Sequence, residues 1–383
     1  MLSTLLLGAF VRSNNGHGIG TDASSLEVVK VSLTTTGGIG GVGYLVIKYR
    51  ERASAERDEA EQKLLRAVER LGSESPQVRI AGVYALADVA DTYRGDYRQR
   101  VVNILCGYLR TSRGTWETIT ETNGNEGEVT SKKAYISKDG AVESTVLEVL
   151  STHLREQRER DGLRPSIAQQ VLNDQLWCDC TFDLHGTCFI EHAVFTEMTF
   201  KSIANFRDAT FYRGANFKRS RFRDTIFTGA LFIESGAFSY ADFEGIAVFS
   251  DTTFNMGATF LRATFYQEAD FMDSTILMNA EFSYSRFCRD STFERAEIYG
   301  AHFQGARFAG DLDTFALQGD VPDFRGTHFN ADIDYRTLRI LSIDEDTGLP
   351  PGASWARFDD EGNVIEVLPS ERPSPENKPD DAS

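Results

Sequence analysis

A phenylalanine recurs every five or six residues from Phe195 to Phe308, usually with a small residue two positions earlier. The units read Ala193-Val194-Phe195, Ala204-Asn205-Phe206, Ala209-Thr210-Phe211 and Ala215-Asn216-Phe217, and the same form persists to Ala306-Arg307-Phe308. The inward positions this predicts are Phe195, Phe200, Phe206, Phe211, Phe217, Phe222, Phe227, Phe232, Phe243, Phe249, Phe254, Phe260, Phe265, Phe271, Phe282, Phe287, Phe293, Phe303 and Phe308. Ser or Thr replaces Ala before Phe222, Phe227, Phe254, Phe287 and Phe293, and Ile replaces Phe at Ile276 and Ile298. Such a period fits neither the 3.6 of a helix nor the 2.0 of a strand. A fixed short period marks a repeat array. If every Phe points inward, the chain turns a corner between one Phe and the next, and four units close about one square coil. Coils then stack at about 4.8 Å, the distance between hydrogen-bonded strands.

From Phe206 the steps run five, six, five, five, five, six, and then alternate, so much of the tract advances eleven residues per pair. The sixth residue reads as a bulge or widened corner near Gly214, Gly236 or Gly257. The A-x-F pattern resembles the pentapeptide-repeat family in its Phe-centred form. That resemblance implies a mainly β fold, a right-handed quadrilateral β-helix over residues 177–310.

Charge divides unevenly along the chain. Residues 1–177 hold 22 basic and 23 acidic residues, net −1; residues 178–308 hold 12 and 17, net −5; residues 309–383 hold 6 and 17, net −11. No part carries a basic nucleic-acid footprint, so direct nucleic-acid binding is not expected. The five cysteines are odd in number and scattered, which argues against a disulfide framework and for a reducing compartment.

Ahead of the repeat, residues 1–30 read as a short flexible segment: Met1 to Val11 is apolar but has no basic residue ahead of it and makes a poor signal peptide, and residues 12–27 are polar and Gly-rich. Residues 31–47 carry no charge, and Lys48, Arg50 and Arg52 follow them. This predicts one transmembrane helix over 31–50, at the short end of what spans a hydrocarbon core of about 30 Å. The basic cluster predicts a cytoplasmic C-terminal side, hence a single-pass protein of the cell membrane. Gly37-x-x-x-Gly41 would admit a homodimer by close helix packing. Residues 51–176 read as an α-helical linker and cap. A charged helix runs from Glu51 to Leu71. Ser75-Pro76 starts a second helix, with Ser at the N-cap and Pro in the first turn. Gly95 breaks it, a third helix follows over Tyr97 to Leu109, and a fourth covers Glu143 to Arg160. Residues 111–140, with Asn123-Gly124-Asn125-Glu126-Gly127, read as a mobile polar loop.

Arg79 to Leu86 (R-I-A-G-V-Y-A-L) with its flanks resembles one HEAT or armadillo-like helical unit. The order of a membrane helix, that motif, Leu105-Cys106-Gly107-Tyr108-Leu109-Arg110 and then A-x-F units is similar to membrane-anchored pentapeptide-repeat proteins of actinobacteria. These helices are expected to cap the first coil, whose sheet edges would otherwise lie open. After Phe308 the repeat decays. Residues 311–368 read as an irregular cap with a strand pair at Ala356-Arg357-Phe358 and Val364-Ile365-Glu366-Val367, and residues 369–383 as a disordered acidic, Pro-rich tail.

Two clusters bear on chemistry. Cys178, Cys180, His185, Cys188 and His192 lie close enough in sequence to supply four zinc ligands, but Cys180 also takes the small position two before Phe182. The stronger expectation is no metal and no cofactor. Arg213, Lys218, Arg219, Arg221 and Arg223 form a basic run that could meet a phosphate or an acidic partner. No P-loop, G-x-S-x-G or H-E-x-x-H motif is present, and no catalytic residue is expected. The chain therefore reads as a membrane-anchored, non-enzymatic scaffold that offers a β-helical wall to a protein partner on the cytoplasmic side. The alternatives are a DNA-like mimic that binds a type II topoisomerase such as gyrase, or an enzyme of an unrecognised kind.

Overall fold

The computed structural model describes residues 25–122, 129–137, 139–157, 167–333, 343–344 and 346–369. The N-terminal segment as far as residue 24, and the acidic tail from residue 370, lie outside them. The chain divides into two compact units, residues 1–62 and 63–383.

In the first unit the described chain is one helix, α1, which spans Ser25–Leu71 and so runs on into the second unit. It covers residues 31–47, so a helix forms where a membrane span was expected. Yet among the described residues no helix is long and apolar enough to cross a membrane. The expectation rested on the absence of charge. Five Gly and three Thr within 31–47 dilute the apolar content below what a spanning segment needs.

In the second unit the end of α1 packs against α2 (Pro76–Tyr93), α3 (Gly95–Arg110) and α4 (Gly140–Leu154). Pro76 opens α2 as the sequence suggests, but the Ser75 hydroxyl meets Gln77 Oε1 at 2.9 Å instead of capping the backbone. Arg94 and Gly95 turn the chain with φ of 52° and 50°. The shared core holds Leu64, Leu71, Val83, Leu86, Val101, Leu105, Val146 and Leu150, all buried. Gly82 lets α2 approach the end of α1: a Cβ there would lie 2.6 Å from the Leu71 nitrogen and 3.0 Å from the Ala67 oxygen.

Residues 111–140 are not a plain loop. They hold an antiparallel ribbon, β1 (Gly114–Thr122) with β2 (Val129–Ser137), in unbroken register from Gly114↔Ser137 to Thr122↔Val129. Thr, Trp and Ile in β1 and Val, Tyr and Ile in β2 favour extended chain. The Gly and Asn of the expected loop cluster in 123–128, outside the described residues.

From Phe182 the chain winds into a coil with four parallel walls. Wall 1 holds seven strands, from Phe182–Asp183 to Leu312–Asp313; wall 2 holds seven, from Cys188–Phe189 to Gln318–Gly319; wall 3 holds six, from Ala193–Val194 to Ala301–His302. Wall 4 begins at Thr199–Phe200 and is extended to nine strands by His328–Asn330, Ser354–Phe358 and Val364–Val367. In register, Ala204 pairs with Thr225, Thr225 with Ala247 and Ala247 with Ala269, a coil of 21 or 22 residues. The eleven-residue advance of the sequence is half of this coil. The repeat does not stop at Phe308, as expected, but completes a further turn. Phe324 stacks on Phe303 at 5.1 Å and Phe329 on Phe308 at 5.2 Å. The predicted strand pair forms, with Ala356 opposite Val367 and Arg357 opposite Glu366.

Candidate functional site

The interior of the coil is filled by four columns of side chains. One column reads Phe206, Phe227, Phe249, Phe271, Phe293, with ring centroids 4.8, 5.0, 4.9 and 4.8 Å apart and nearly parallel planes. The backbone ladder imposes that spacing, so rings within a column stack face to face, while rings from neighbouring columns meet edge on, as Phe206 and Phe217 do at 77°. All nineteen predicted Phe positions are buried. Phe189 and Phe238, not among those nineteen, belong to the same columns, whereas Phe182 lies in register with Ala204 and meets Phe200 edge on at 5.3 Å. Gly236 stands two before Phe238 in place of Ala, and the step count still reaches Phe238. Ser and Thr in the small position bind across coils: Thr252 Oγ1 donates to the Phe227 carbonyl at 2.8 Å, and Ser220 Oγ to that of Phe195.

Corners after walls 1 and 3 are tight turns. The Ala209 and Ala263 N–H groups donate to the Phe206 and Phe260 carbonyls at 3.1 and 2.8 Å, and the residue before each Ala is left-handed. A type II turn asks for Gly there, but this chain places Asp208, Arg219, Tyr240, Arg262 and Tyr284 at φ of 54–59°. The wall-3 corners compensate by stacking. The Arg219 guanidinium lies 6.0 Å from the Tyr240 ring centroid, and that of Arg262 lies 6.0 Å from Tyr240 and 5.2 Å from Tyr284. Glu197 accepts from Arg219 at 3.2 Å at one end of this ladder, and Gly305 makes room for the Tyr284 ring at the other.

The helical cap closes the first coil with side chains. Glu143 Oε1 accepts the N–H groups of Ile190 and Glu191 at 2.8 and 3.0 Å, and Arg113 donates to the Cys188 carbonyl at 2.6 Å, so both serve the free edge of wall 2. Gln99 donates to the Thr181 carbonyl and accepts its N–H, at 2.9 and 2.8 Å. The Arg79 and Arg110 motif residues work in the same region: Arg79 binds Asp139 at 2.7 Å, and Arg110 binds Asp183 at 2.6 Å. Trp177 stacks on His153 at 4.1 Å and donates to Asp91 at 3.0 Å.

The sequence-predicted clusters are spread out. Cys178 lies buried beside the Leu154 carbonyl, 3.6 Å away, and burial pushes its thiol up to about 12; burial likewise pushes Cys180 to about 11. Burial also raises Cys188. His185 meets Asp183 at 2.7 Å, and His192 Nδ1 lies 2.7 Å from the Arg213 carbonyl. Among the described residues no three His, Cys, Asp or Glu are placed to hold a metal ion. The basic run distributes over several surfaces. Arg213 pairs with Glu191 at 3.1 Å beyond wall 2, Arg219 joins the corner ladder, and Arg221 pairs with Glu244 at 2.8 Å on wall 4. Lys218 and Arg223 are exposed on two different sides.

The outside of wall 2 carries apolar side chains. Outward positions there include Leu231, Ile233, Leu277 and Tyr299, with Met256 and Met278 on the following corner. Nothing in the Phe period announces them, since they occupy the positions that the repeat leaves free.

A continuous four-walled β-solenoid with a phenylalanine-filled interior defines the class. Within it, a family model of pentapeptide repeats, comprising nine copies, matches residues 195–241, so that stretch of the solenoid is built of pentapeptide repeats. Comparison with curated proteins and with solved structures returned no match.

Proposed function

We propose that the protein is a non-enzymatic scaffold whose solenoid walls hold a protein partner at the cytoplasmic face of the cell membrane. One observation carries the binding half: the ring columns fill the coil, so the described solenoid offers recognition chemistry on its outer walls and corners. The membrane half rests on the uncharged stretch 31–47 and the basic residues Lys48, Arg50 and Arg52 after it, while among the described residues no helix is long and apolar enough to cross a membrane.

Photo-crosslinking side chains at one outward position on each wall, in the native host, test the binding half. A protein adduct at one wall supports it; no adduct from any wall overturns it. Fractionation of the untagged protein with a carbonate wash tests the other half, and recovery entirely in the wash overturns it.

A further inference from the structure

Wall 2 carries a stripe of apolar and neutral side chains, ended by Glu297 in the last of these coils, on a protein of net charge −17. Strand register stacks Leu231, Thr253 and Thr275 directly over one another. One residue further along each strand past the inward ring, Ile233, Asn255, Leu277 and Tyr299 form a second row, fixed by ladder bonds from Ile233 N to Phe211 O and from Leu277 N to Phe254 O, both 3.0 Å. Met256 and Met278 flank it, 57% and 59% exposed, and Leu277 is 45% exposed. Met at such a surface adapts to the shape of what it meets, and an exposed apolar patch of this kind marks a binding site.

The edges of the stripe are acidic. Asp251 and Glu294 lie on the corner before wall 2, Glu234 on the corner after it, and Glu297 on the wall itself. Of the three cations along these edges, Arg207 lies at the end away from the stripe, Arg213 pairs with Glu191, and Arg295 pairs with Asp273 at 2.7 Å and with Glu294. A second copy would bring the same carboxylates against these.

We infer that wall 2 binds a cationic amphipathic segment of a partner protein, with apolar side chains on the stripe and Lys or Arg against its rims. This rests on the scaffold reading and names its partner class. From the coil of Leu231 to that of Tyr299 is three steps of about 4.8 Å, so two to three turns of helix, at about 1.5 Å per residue, cover it.

The test uses the full-length protein and three labelled 14-residue peptides: a Leu/Lys amphipathic helix, a Leu/Glu helix with the same apolar face, and a scrambled Leu/Lys sequence. Fluorescence anisotropy should show the Leu/Lys helix binding at least tenfold tighter than the other two, weakening as salt rises. The double variant Met256→Lys/Met278→Lys, with unchanged circular dichroism, should lose at least tenfold, and Tyr266→Lys on wall 4 should not. Equal binding of the Leu/Lys and Leu/Glu helices overturns the charge assignment. A dimer in light scattering that the double variant abolishes assigns the stripe to a second copy and overturns the inference. No peptide binding, with wall-specific adducts still found in the host, sinks this inference and leaves the scaffold standing.

Discussion

Arg113 and Glu143 form an ion pair at the closed end of the solenoid, with side chains only 3% and 0% exposed. Their remaining polar atoms are used up. Arg113 also donates to the Leu109 carbonyl, and Glu143 takes two N–H groups from the edge of wall 2. Removing one partner leaves a buried charge and an unpaired edge. Glu143→Ala should therefore cost about 3–5 kcal/mol. Urea unfolding followed by circular dichroism measures it; a loss below 1 kcal/mol would mean that water or another side chain replaces the pair.

The ring columns predict a gradient between inside and outside. Phe238 touches Phe217 and Phe260 in its own column, at 5.0 and 4.8 Å, and Phe249 edge on at 5.4 Å. Phe238→Ala should cost about 3–5 kcal/mol through lost transfer energy and the cavity left behind. Phe315→Ala, at an exposed position, should stay within about 0.5 kcal/mol. Equal losses would contradict the assignment of inward and outward positions.

Reading the sequence reaches the columns and not the cap bonds, for a physical reason. The Phe period is local, because each inward position is set by the next corner five or six residues away. Glu143 acquires its role from Ile190 and Glu191, more than forty residues further on, and its own neighbourhood matches that of any acidic residue early in a helix. In residues 111–140 the Gly and Asn at the centre mark only the connection, while the β-branched residues on either side set the strands. The 31–47 stretch shows the converse: absence of charge is easy to see, whereas Gly and Thr weaken apolarity by degrees. The Cys/His cluster is close in sequence, but the first coil sends its members to different walls.

Left-handed corners carry the next prediction. Ala316 has φ of 56° and an exposed side chain, and takes no part in the Arg–Tyr ladder. Ala316→Gly should raise stability by about 1 kcal/mol, as left-handed backbone penalises a Cβ. Tyr240, at φ of 59°, lies between Arg219 and Arg262. Tyr240→Gly removes a similar strain but also two cation–π contacts worth about 0.5–1 kcal/mol each, so it should gain nothing or lose. Matched thermal melts compare the two, and an equal gain from both would deny the ladder any stabilising part.

Asp270 on wall 1 is raised above its ordinary 3.8, first by burial and then by Asp251 and Asp273 nearby, against the Met272 N–H that it accepts at 2.9 Å. A carboxyl whose folded pKa is raised favours the fold when protonated. That contribution is full below pH 3.8 and is lost as pH rises through the higher folded value. Asp270→Asn keeps the acceptor without the charge, so it should be more stable than the parent protein at pH 7. Unfolding curves from pH 3 to 7 should show the gap closing toward the acid end; a gap that widens there would reverse the sign.

Two helix glycines with different surroundings make the last test. Gly82 faces α1, and a Cβ would press on backbone, 2.6 Å from the Leu71 nitrogen and 3.1 Å from the Arg70 carbonyl carbon. Backbone in a packed helix cannot yield as a side chain can, so Gly82→Ala should force α1 and α2 apart and cost about 1–3 kcal/mol. Gly107, inside α3, has only the tip of Arg110 within reach, at 3.9 Å. Gly107→Ala should instead gain up to about 1 kcal/mol from helix propensity. The same substitution thus changes sign with what the new methyl meets. Urea midpoints for the pair decide it: a gain at Gly82 would show that α1 does not pack where its backbone is placed, and a loss at Gly107 would show that α3 is crowded on the side that stands open.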